Sequence, residues 1–338
     1  MSGERWKKFT RLFRRRITTL VGVDFGQGAV KVAEVALSGG KPYLRTLAIV
    51  TAPAADGMEQ LTSDEQDLSG EAEVLEKMLT QALALSGVRA KDAVLAVGGR
   101  RIFVREVNFP KLPPEELAVA IKWDIPKYVP YEPDSYEFDY AITGSVGEEL
   151  KVLVVAAPKA VVSQLTTIVR AAGLNPVAVD IEPLAVYRTL NNADNSLVLD
   201  IGAVSTQISL FQQGNPVFTR VVALAGGRLE TVLRSAALEN AAAEAEGLVE
   251  AMGQEVRRTI QFFTQQNKGA VIDKVILTGL AEVDKMVELL AERLDLPVAG
   301  HNPLTAITLN PSIDAEYAGK VGPQLAVAVG LAMRGDEL

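Results

Sequence analysis

Val21–Val35 reads VGVDFGQGAVKVAEV. An apolar run ends in an acid, Asp24. Gly26 and Gly28 follow, and Val30, Val32 and Val35 then continue with Lys31 and Glu34 between them. The apolar run has the composition of a buried strand, and the near two-residue alternation after the glycines predicts a second strand. The stretch is therefore a strand, a tight turn and a strand, with a carboxylate at the turn. Glycine lets the turn backbone approach an incoming group closely, and exposed turn N–H groups can cradle a phosphate.

The arrangement recurs. Ser196–Phe211 reads SLVLDIGAVSTQISLF, with Asp200 in the place of Asp24 and Gly202 in the place of Gly26. One such hairpin is ordinary surface structure with a turn aspartate. Two in one chain predict a duplicated domain whose halves each offer a phosphate loop to a shared cleft.

The 338 residues suffice for two domains, and 48% apolar with 22% charged residues predicts globular cores. With no cysteine and one histidine, His301, thiol catalysis, disulfides, zinc–thiolate sites and multi-histidine metal sites are excluded. His301 sits between Gly300 and Asn302-Pro303, a turn composition. No apolar stretch approaches the roughly 20 residues that span a membrane, and no signal peptide is visible, so the expected location is the cytoplasm. Charge is uneven. Residues 1–16 carry seven basic side chains against one acid, a net of +6, which leaves −14 on the rest of a chain with a total of −8. An acidic body argues against nucleic acid as a partner. In the leader, Trp6, Phe9, Leu12 and Phe13 fall near one helical face among the basic residues. That pattern suits an interfacial helix on anionic lipid, or equally a solvated basic arm.

Along the chain, strands are predicted at Tyr43–Val50, Ala93–Val97, Ile102–Phe109, Tyr136–Ile142, Leu150–Ala156, Asn175–Ile181, Pro216–Leu224 and Lys274–Thr278. Residues 51–69 read as a long surface loop. Helices are predicted at Glu71–Leu85, from Pro114 towards Pro126, at Pro158–Ala172, from Glu182 through Leu190, from Leu229, at Ala241–Glu250, at Gln254–Phe263, at Val283–Leu294 and at Pro323–Met333. The order in each half is that of an α/β architecture. A strand–helix–strand–strand unit interrupts the first half.

Taken together, the hairpins at Asp24 and Asp200, the Gly226-Gly227 turn and the strand end Thr278-Gly279 resemble the phosphate-1, phosphate-2 and adenosine motifs of the actin/Hsp70 ATPase superfamily. The inserted unit narrows the likeness to its FtsA-like branch. The stretches PPEELAVAIKWDIPKYVPYEPDSYEFDY, VAAPKAVV, AAGLNPVAVDIEPLA and EVRRTIQFF, with both hairpins, resemble the type IV pilus assembly protein PilM family from about residue 18 to 334. The implied fold is a duplicated actin-like (ribonuclease H-like) α/β ATPase fold. The expected divisions are a basic leader over 1–17, a first half over 18–99 and 173–195, an inserted subdomain over 100–172 and a second half over 196–334.

The resemblance implies ATP and Mg²⁺ as ligands. Asp24 and Asp200 are hard oxygen ligands placed to hold Mg²⁺ through its waters. Gly26, Gln27, Gly28, Ala29 and Lys31 would meet phosphates from one side, and Gly202, Ala203, Val204, Ser205 and Thr206 from the other, largely through N–H groups. Gly226 and Gly227 would pass the ribose and phosphates, Gly279 and Leu280 would meet the adenine, and Glu255 and Arg258 would contact adenosine. A helical ion pair is the alternative reading of those last two. The turn departs from the family in carrying Gln27-Gly28-Ala29 where hydroxyls are usual, and Gly279 lacks a second glycine beside it.

Glu182 falls where the superfamily orients the attacking water, and Pro183 after it suits a helix start. The implied function is a cytoplasmic ATP-binding scaffold, peripheral to the inner membrane, with slow or absent ATPase activity. Its implied partners are the cytoplasmic N-terminal segment of a PilN-like inner-membrane protein and other proteins of the pilus assembly platform. The partner groove is expected beside the Ile102–Phe109 strand. A small-molecule kinase and a filament-forming actin-like ATPase are the alternatives; the chain shows no acceptor-substrate motif for the kinase.

Overall fold

A computed structural model describes residues 18–39, 41–52, 71–190, 193–224, 226–234, 239–267 and 269–336. The leader 1–17 and nearly all of the expected 51–69 loop lie outside the described residues.

The first half opens as a meander of β1 (Thr19–Gly26), β2 (Ala29–Ser38) and β3 (Lys41–Thr51), followed by α1 (Ala72–Ser86) and β4 (Asp92–Val97). β2 pairs antiparallel with β1 and β3, and β4 runs parallel to β1. The second half repeats this plan. β9 (Ser196–Ile201), β10 (Thr206–Gln212) and β11 (Asn215–Val222) form the meander, and β12 (Lys274–Thr278) runs parallel to β9. The duplication predicted from the two hairpins is thus present in strand order and direction. Asp24 and Asp200 each lie near the carboxyl end of the strand that has a parallel neighbour, where ligands of α/β sheets bind.

Between the halves come β5 (Phe103–Pro110), α2 (Pro114–Asp124), β6 (Tyr136–Val146) and β7 (Glu149–Pro158). Pro114 begins α2, with Glu115 and Glu116 in its first turn, as the helix dipole favours. Leu117, Ile121, Ile125 and Val129 recur every four residues and bury one face against Val107, Phe109, Val152 and Val154. The inserted strands join the second half's sheet, whose order is β13-β12-β9-β10-β11-β5-β7-β6, with β13 at Val298–Gly300. The joint is the single pair Phe218↔Arg105. β5 therefore lies between two strands, and β6 is the edge.

α3 (Lys159–Ala171) lies within the expected insertion, yet Val161, Leu165, Ile168 and Val169 join the first-half core with Leu79 and Leu95. β8 (Asn175–Ile181) completes the first sheet, of order β14-β3-β2-β1-β4-β8 with β14 at Thr308–Leu309, and leads into α4 (Glu182–Thr189). Past β11 the chain forms α5 (Gly226–Arg234) and α6 (Glu239–Gln266). α6 is one helix of 28 residues, not the two segments expected. Val249, Met252 and Val256 give it one continuous buried stripe, which outweighs the roughly 1 kcal/mol cost of each interior glycine, Gly247 and Gly253. α7 (Val283–Ala291) is shorter than its periodicity suggests. The short strands β13 (Val298–Gly300) and β14 (Thr308–Leu309) and the helix α8 (Ala315–Val321) carry too few residues for a periodic signal.

The closing helix α9 (Ala326–Ala332) is buried along its whole length. A sequence that is apolar all round has no solvent face to present. Its small residues allow close approach: a Cβ on Gly22 of β1 would lie 1.8 Å from the Ala328 carbonyl oxygen.

Candidate nucleotide cleft

The two hairpin turns, the ends of β4 and β8, the start of α5 and the end of β12 converge on one cleft of about 220 Å³. Asp24, Gly26, Gln27, Gly28, Ala29, Lys31, Glu182, Asp200, Gly202, Ala203, Ser205, Gly226, Gly227, Gly279 and Leu280 all line it. Residues 256 positions apart in sequence, Asp24 and Leu280, are thereby brought together, as the duplicated-hairpin argument requires.

Charge dominates the cleft. Lys31 on β2 lies opposite Asp24 in the β1–β2 register, and its Nζ donates to Asp24 Oδ2 at 3.0 Å. Burial alone would lower the Lys31 ammonium, but Asp24, Asp200 and Glu182 together hold it above its ordinary value. Glu182 begins α4, and its Oε2 accepts the Gly99 N–H at 3.2 Å. Burial and then repulsion from Asp24 and Asp200 push its carboxyl up to about 8. Burial also raises Asp200, to about 6, with Asp24 adding to the rise and Lys31 opposing it. Three carboxyl groups thus share one lysine, and a divalent cation fits that excess of negative charge. Among the described residues no three acidic or His side chains form a direct metal cage. The arrangement suits an ion that keeps its waters and touches carboxylates through them.

Two glycines are required by space. Gly98 ends β4 beneath Glu182, and a Cβ there would lie 1.7 Å from the Glu182 carboxyl carbon. Gly279 has φ +93°, and a Cβ would lie 2.4 Å from Asp200 Oδ1. The strand end at Gly279 is therefore a wall for Asp200.

Several expected phosphate donors are engaged elsewhere. The Gly202 N–H donates to the Ser205 carbonyl, the Gly226 N–H to the Gly202 carbonyl and the Gly227 N–H to the Ala203 carbonyl. These bonds dock the second hairpin turn on the start of α5, so the three glycines offer bare backbone surface instead of N–H groups. Thr206 is buried and its hydroxyl donates to the Leu224 carbonyl. The Ser205 hydroxyl donates to Gln27. Val204 and Thr206 do not line the cleft, nor do Glu255 and Arg258. Arg258 Nη1 donates to Glu255 Oε1 at 2.7 Å, and Arg220 of β11 also pairs with Glu255. That is the ion-pair arrangement, set on α6 away from the cleft. His301 is held by Thr189 Oγ1 at 2.7 Å from its Nε2, outside the cleft.

The reading of motifs missed Gly98, Arg100, Arg101, Gln207, Glu230 and Gln324, which also line the cleft. Gly98-Gly99 at a strand end was a visible signal. Glu230 was not: its Oε1 accepts the Ala281 N–H at 2.5 Å and Gln324 Nε2 at 3.4 Å, so it ties α5 to the loop after β12. Arg101 is paired with the buried Glu71 at 3.2 Å.

Comparison with known proteins places this geometry. The family described as type IV pilus assembly protein PilM matches residues 22–248 and 246–336. The chain belongs to the type IV pilus assembly protein PilM family. A solved structure titled "PilM-PilN type IV pilus biogenesis complex" contains a similar chain, at 27% identity with a TM-score of 0.79, covering 95% of this chain and 99% of that one. The ethanolamine utilization protein EutJ from Carboxydothermus hydrogenoformans is similar in fold alone, at 17% identity and a TM-score of 0.51, over 96% of this chain and 93% of that one. The fold is the actin-like ATPase fold in two α/β halves, built around the cleft. Among the described residues no helix is long and apolar enough to cross a membrane.

Proposed function

We propose that this chain is an ATP-binding scaffold of the type IV pilus inner-membrane assembly platform that recruits the cytoplasmic N-terminal segment of a PilN-like membrane protein. The observation that carries the reading is the full-length similarity to a chain solved in a PilM–PilN complex. Through that partner the protein sits on the cytoplasmic side of the inner membrane, with other platform proteins beside it. The leader 1–16 adds attraction to anionic lipid, at roughly 1 kcal/mol per basic residue near the surface.

The ligand of the cleft is ATP with Mg²⁺. Asp24 and Asp200 would hold the ion, and Lys31 would face the phosphates. Such an ion would supply neutralisation of charge on the transferring phosphoryl group. Glu182 accepts a proton from the attacking water, and its raised carboxyl is closer to neutral pH than an exposed one, as a general base requires. Turnover is slow, because a scaffold needs its nucleotide held. The division of the chain follows the sequence reading: leader to 17, first half over 18–99 and 173–195, insertion over 100–172 and second half over 196–334. Within it, α3 serves the first-half core.

The partner surface is assigned to the insertion. Trp123 on α2 is 77% exposed and Val119, one turn before it, is 56% exposed. Trp123 is therefore no core residue. A synthetic peptide of the PilN-like cytoplasmic segment, titrated calorimetrically into the protein with and without ATP-Mg²⁺, tests the assignment. Binding that is weakened at least tenfold by Trp123→Ala supports it. Equal affinity in wild type and variant moves the surface elsewhere, and no binding at all removes the scaffold reading.

A further inference from the structure

β1 and β4 run parallel, and their carboxyl ends, Gly26 and Val97, line the cleft. Their first residues, Thr19 and Asp92, lie at the opposite end of the first sheet. The β2–β3 hairpin is at that end too, because the Leu37 N–H donates to the Thr18 carbonyl at 2.7 Å. So are the last turns of α1 and α3, which lead into β4 and β8, and the Asn175 N–H donates to the Lys91 carbonyl at 2.6 Å. Lys41, Arg45, Arg89, Lys91 and Arg170 are all exposed on these segments. Buried Glu34 gathers two of them, its Oε1 accepting Arg45 Nη1 at 3.4 Å and its Oε2 the Arg89 N–H at 2.7 Å. Lys41, Arg89, Lys91 and Arg170 make no ion pair among the described residues. Asp92 accepts from Asn175 Nδ2 at 2.8 Å, and Asp314, past β14, caps α8 through the Tyr317 N–H. This end therefore keeps an excess of positive charge.

Shape and chain path add to the charge. A shallow recess beside the hairpin is lined by Ala36, Lys41, Pro42, Tyr43, Arg45 and Thr308. Tyr43 and Thr308 stand side by side in the β3–β14 register, so two hydroxyl and two cationic side chains border a space that suits a phosphate. Leu85, in the last turn of α1, is 67% exposed at the same end. The leader joins β1 there as well, with Trp6, Phe9 and Phe13 among its basic residues. Like charges repel, so the leader does not complement this face. One anionic surface complements both.

We propose that the end of the first half opposite the cleft is a docking face for a membrane surface of anionic phospholipid, with the recess taking a lipid phosphate. The inference rests on the inner-membrane placement proposed above and extends the lipid contact from the leader to the folded body. Docked this way, the cleft opens away from the bilayer. Cations near an anionic leaflet act within its Debye length, so the attachment weakens with salt. A second copy of the chain, acidic outside its leader, is the rival occupant. Lipid is favoured because exposed Leu85 and the leader's aromatic residues, set among cations, suit the boundary of headgroups and hydrocarbon.

Cosedimentation of the full-length protein with vesicles tests the assignment, using phosphatidylcholine alone and phosphatidylcholine with about 30% phosphatidylglycerol. No protein partner is present, so lipid binding is read by itself. Lys41→Glu with Arg89→Glu reverses the face, and a second variant changes the seven basic leader residues to Gln. The expected result is binding to the anionic vesicles only, weakened at least about tenfold by the face reversal with the leader intact. The leader variant should keep residual binding that disappears when the two sets are combined. Should the reversed pair lower Tm, Lys41→Gln with Arg89→Gln decides, with an expected fall of about threefold or more. Wild-type binding in a folded face variant overturns the docking face and leaves the leader's lipid contact standing. A fall in the face variant with none in the leader variant supports the face and removes the leader contact. Absence of wild-type binding to the anionic vesicles overturns both, while binding of a PilN-like peptide in the same sample shows whether the scaffold reading survives. Wild-type self-association without vesicles, lost on face reversal, makes the face an interface between copies and also overturns the proposal.

Discussion

The Ser205 hydroxyl donates to Gln27 Oε1 at 2.9 Å, joining the two hairpin turns across the cleft over 178 residues of sequence. Beneath this bond the turns touch, since a Cβ on Gly28 would lie 2.5 Å from that of Ala203. At about 220 Å³ the cleft is also smaller than the roughly 300–1,000 Å³ usual for ligand sites. The turns must part for a triphosphate to enter, and the Gln27–Ser205 bond opposes that. Ser205→Ala should therefore bind ATP-Mg²⁺ faster and about two- to tenfold more tightly, the range of one neutral hydrogen bond. Stopped-flow binding of a fluorescent ATP analogue reads both quantities. Weaker binding would instead make the hydroxyl a phosphate ligand, as the motif comparison suggests.

Gly279→Ala should be among the most damaging small substitutions. The residue's φ of +93° disfavours any side chain, and the added methyl would press on Asp200 Oδ1 and on the Ile201 backbone. A loss of about 2 kcal/mol or more follows from the backbone strain and overpacking together. Thermal unfolding and ATP titration should fall in parallel, because Asp200 cannot hold its place. A variant with wild-type Tm and affinity would mean that the strand end relaxes freely.

How much of this was legible depended on the range of the interaction. Asp24 and Asp200 stand out because strand, turn and strand are encoded within 16 residues, and the repeat supplies its own control. Glu182 was found from the motif order. Its neighbour Gly98 could not be linked to it, since the contact exists only once β4 and β8 pair. The joint between the insertion and the second half rests on Phe218↔Arg105, a pair with no local signature. Gln207 immediately precedes Ile208–Phe211 in the sequence, and only the fold shows that its side-chain oxygen is buried without a partner among the described residues. Glu34 was similarly opaque. It is buried within β2, and its Oε2 accepts the Arg89 N–H at 2.7 Å, anchoring the turn between α1 and β4.

The pH dependence of ligand-free stability should carry two opposing contributions of unequal size. The folded protein holds protons on Asp200 up to about pH 6 and on Glu182 up to about 8, whereas both groups ionise near 4 when unfolded. The folded state then binds more protons over that window, so stability falls as pH rises through it. His301 acts in the other direction, its folded value lowered by burial to about 4 from 6.5. The unfolded state binds that proton first, and stability falls as pH drops from 6.5 towards 4. From about pH 4 to 6 the two carboxyls outweigh the one imidazole, so Tm should be highest near pH 4 and lowest by pH 8. Glu182→Gln should flatten the decline between about pH 6.5 and 8. An unchanged alkaline slope in the variant would assign the decline to other groups.

Asp200→Asn should separate stability from binding. The environment of Asp200 favours its neutral form, through burial first and Asp24 next, against the pull of Lys31. An amide of the same shape avoids the cost of the charge, which is roughly 3 kcal/mol at pH 8 for a rise of this size. The ligand-free variant should thus unfold a few degrees above wild type at that pH. It should also lose the strengthening of ATP binding by Mg²⁺, because one of the two carboxylates facing the ion is gone. Calorimetric titration of ATP with Mg²⁺ and with EDTA, beside a thermal melt at pH 8, measures both. A variant that melts lower than wild type would show that the Lys31 attraction outweighs burial. A variant that keeps the Mg²⁺ effect would leave Asp24 as the aspartate that holds the ion.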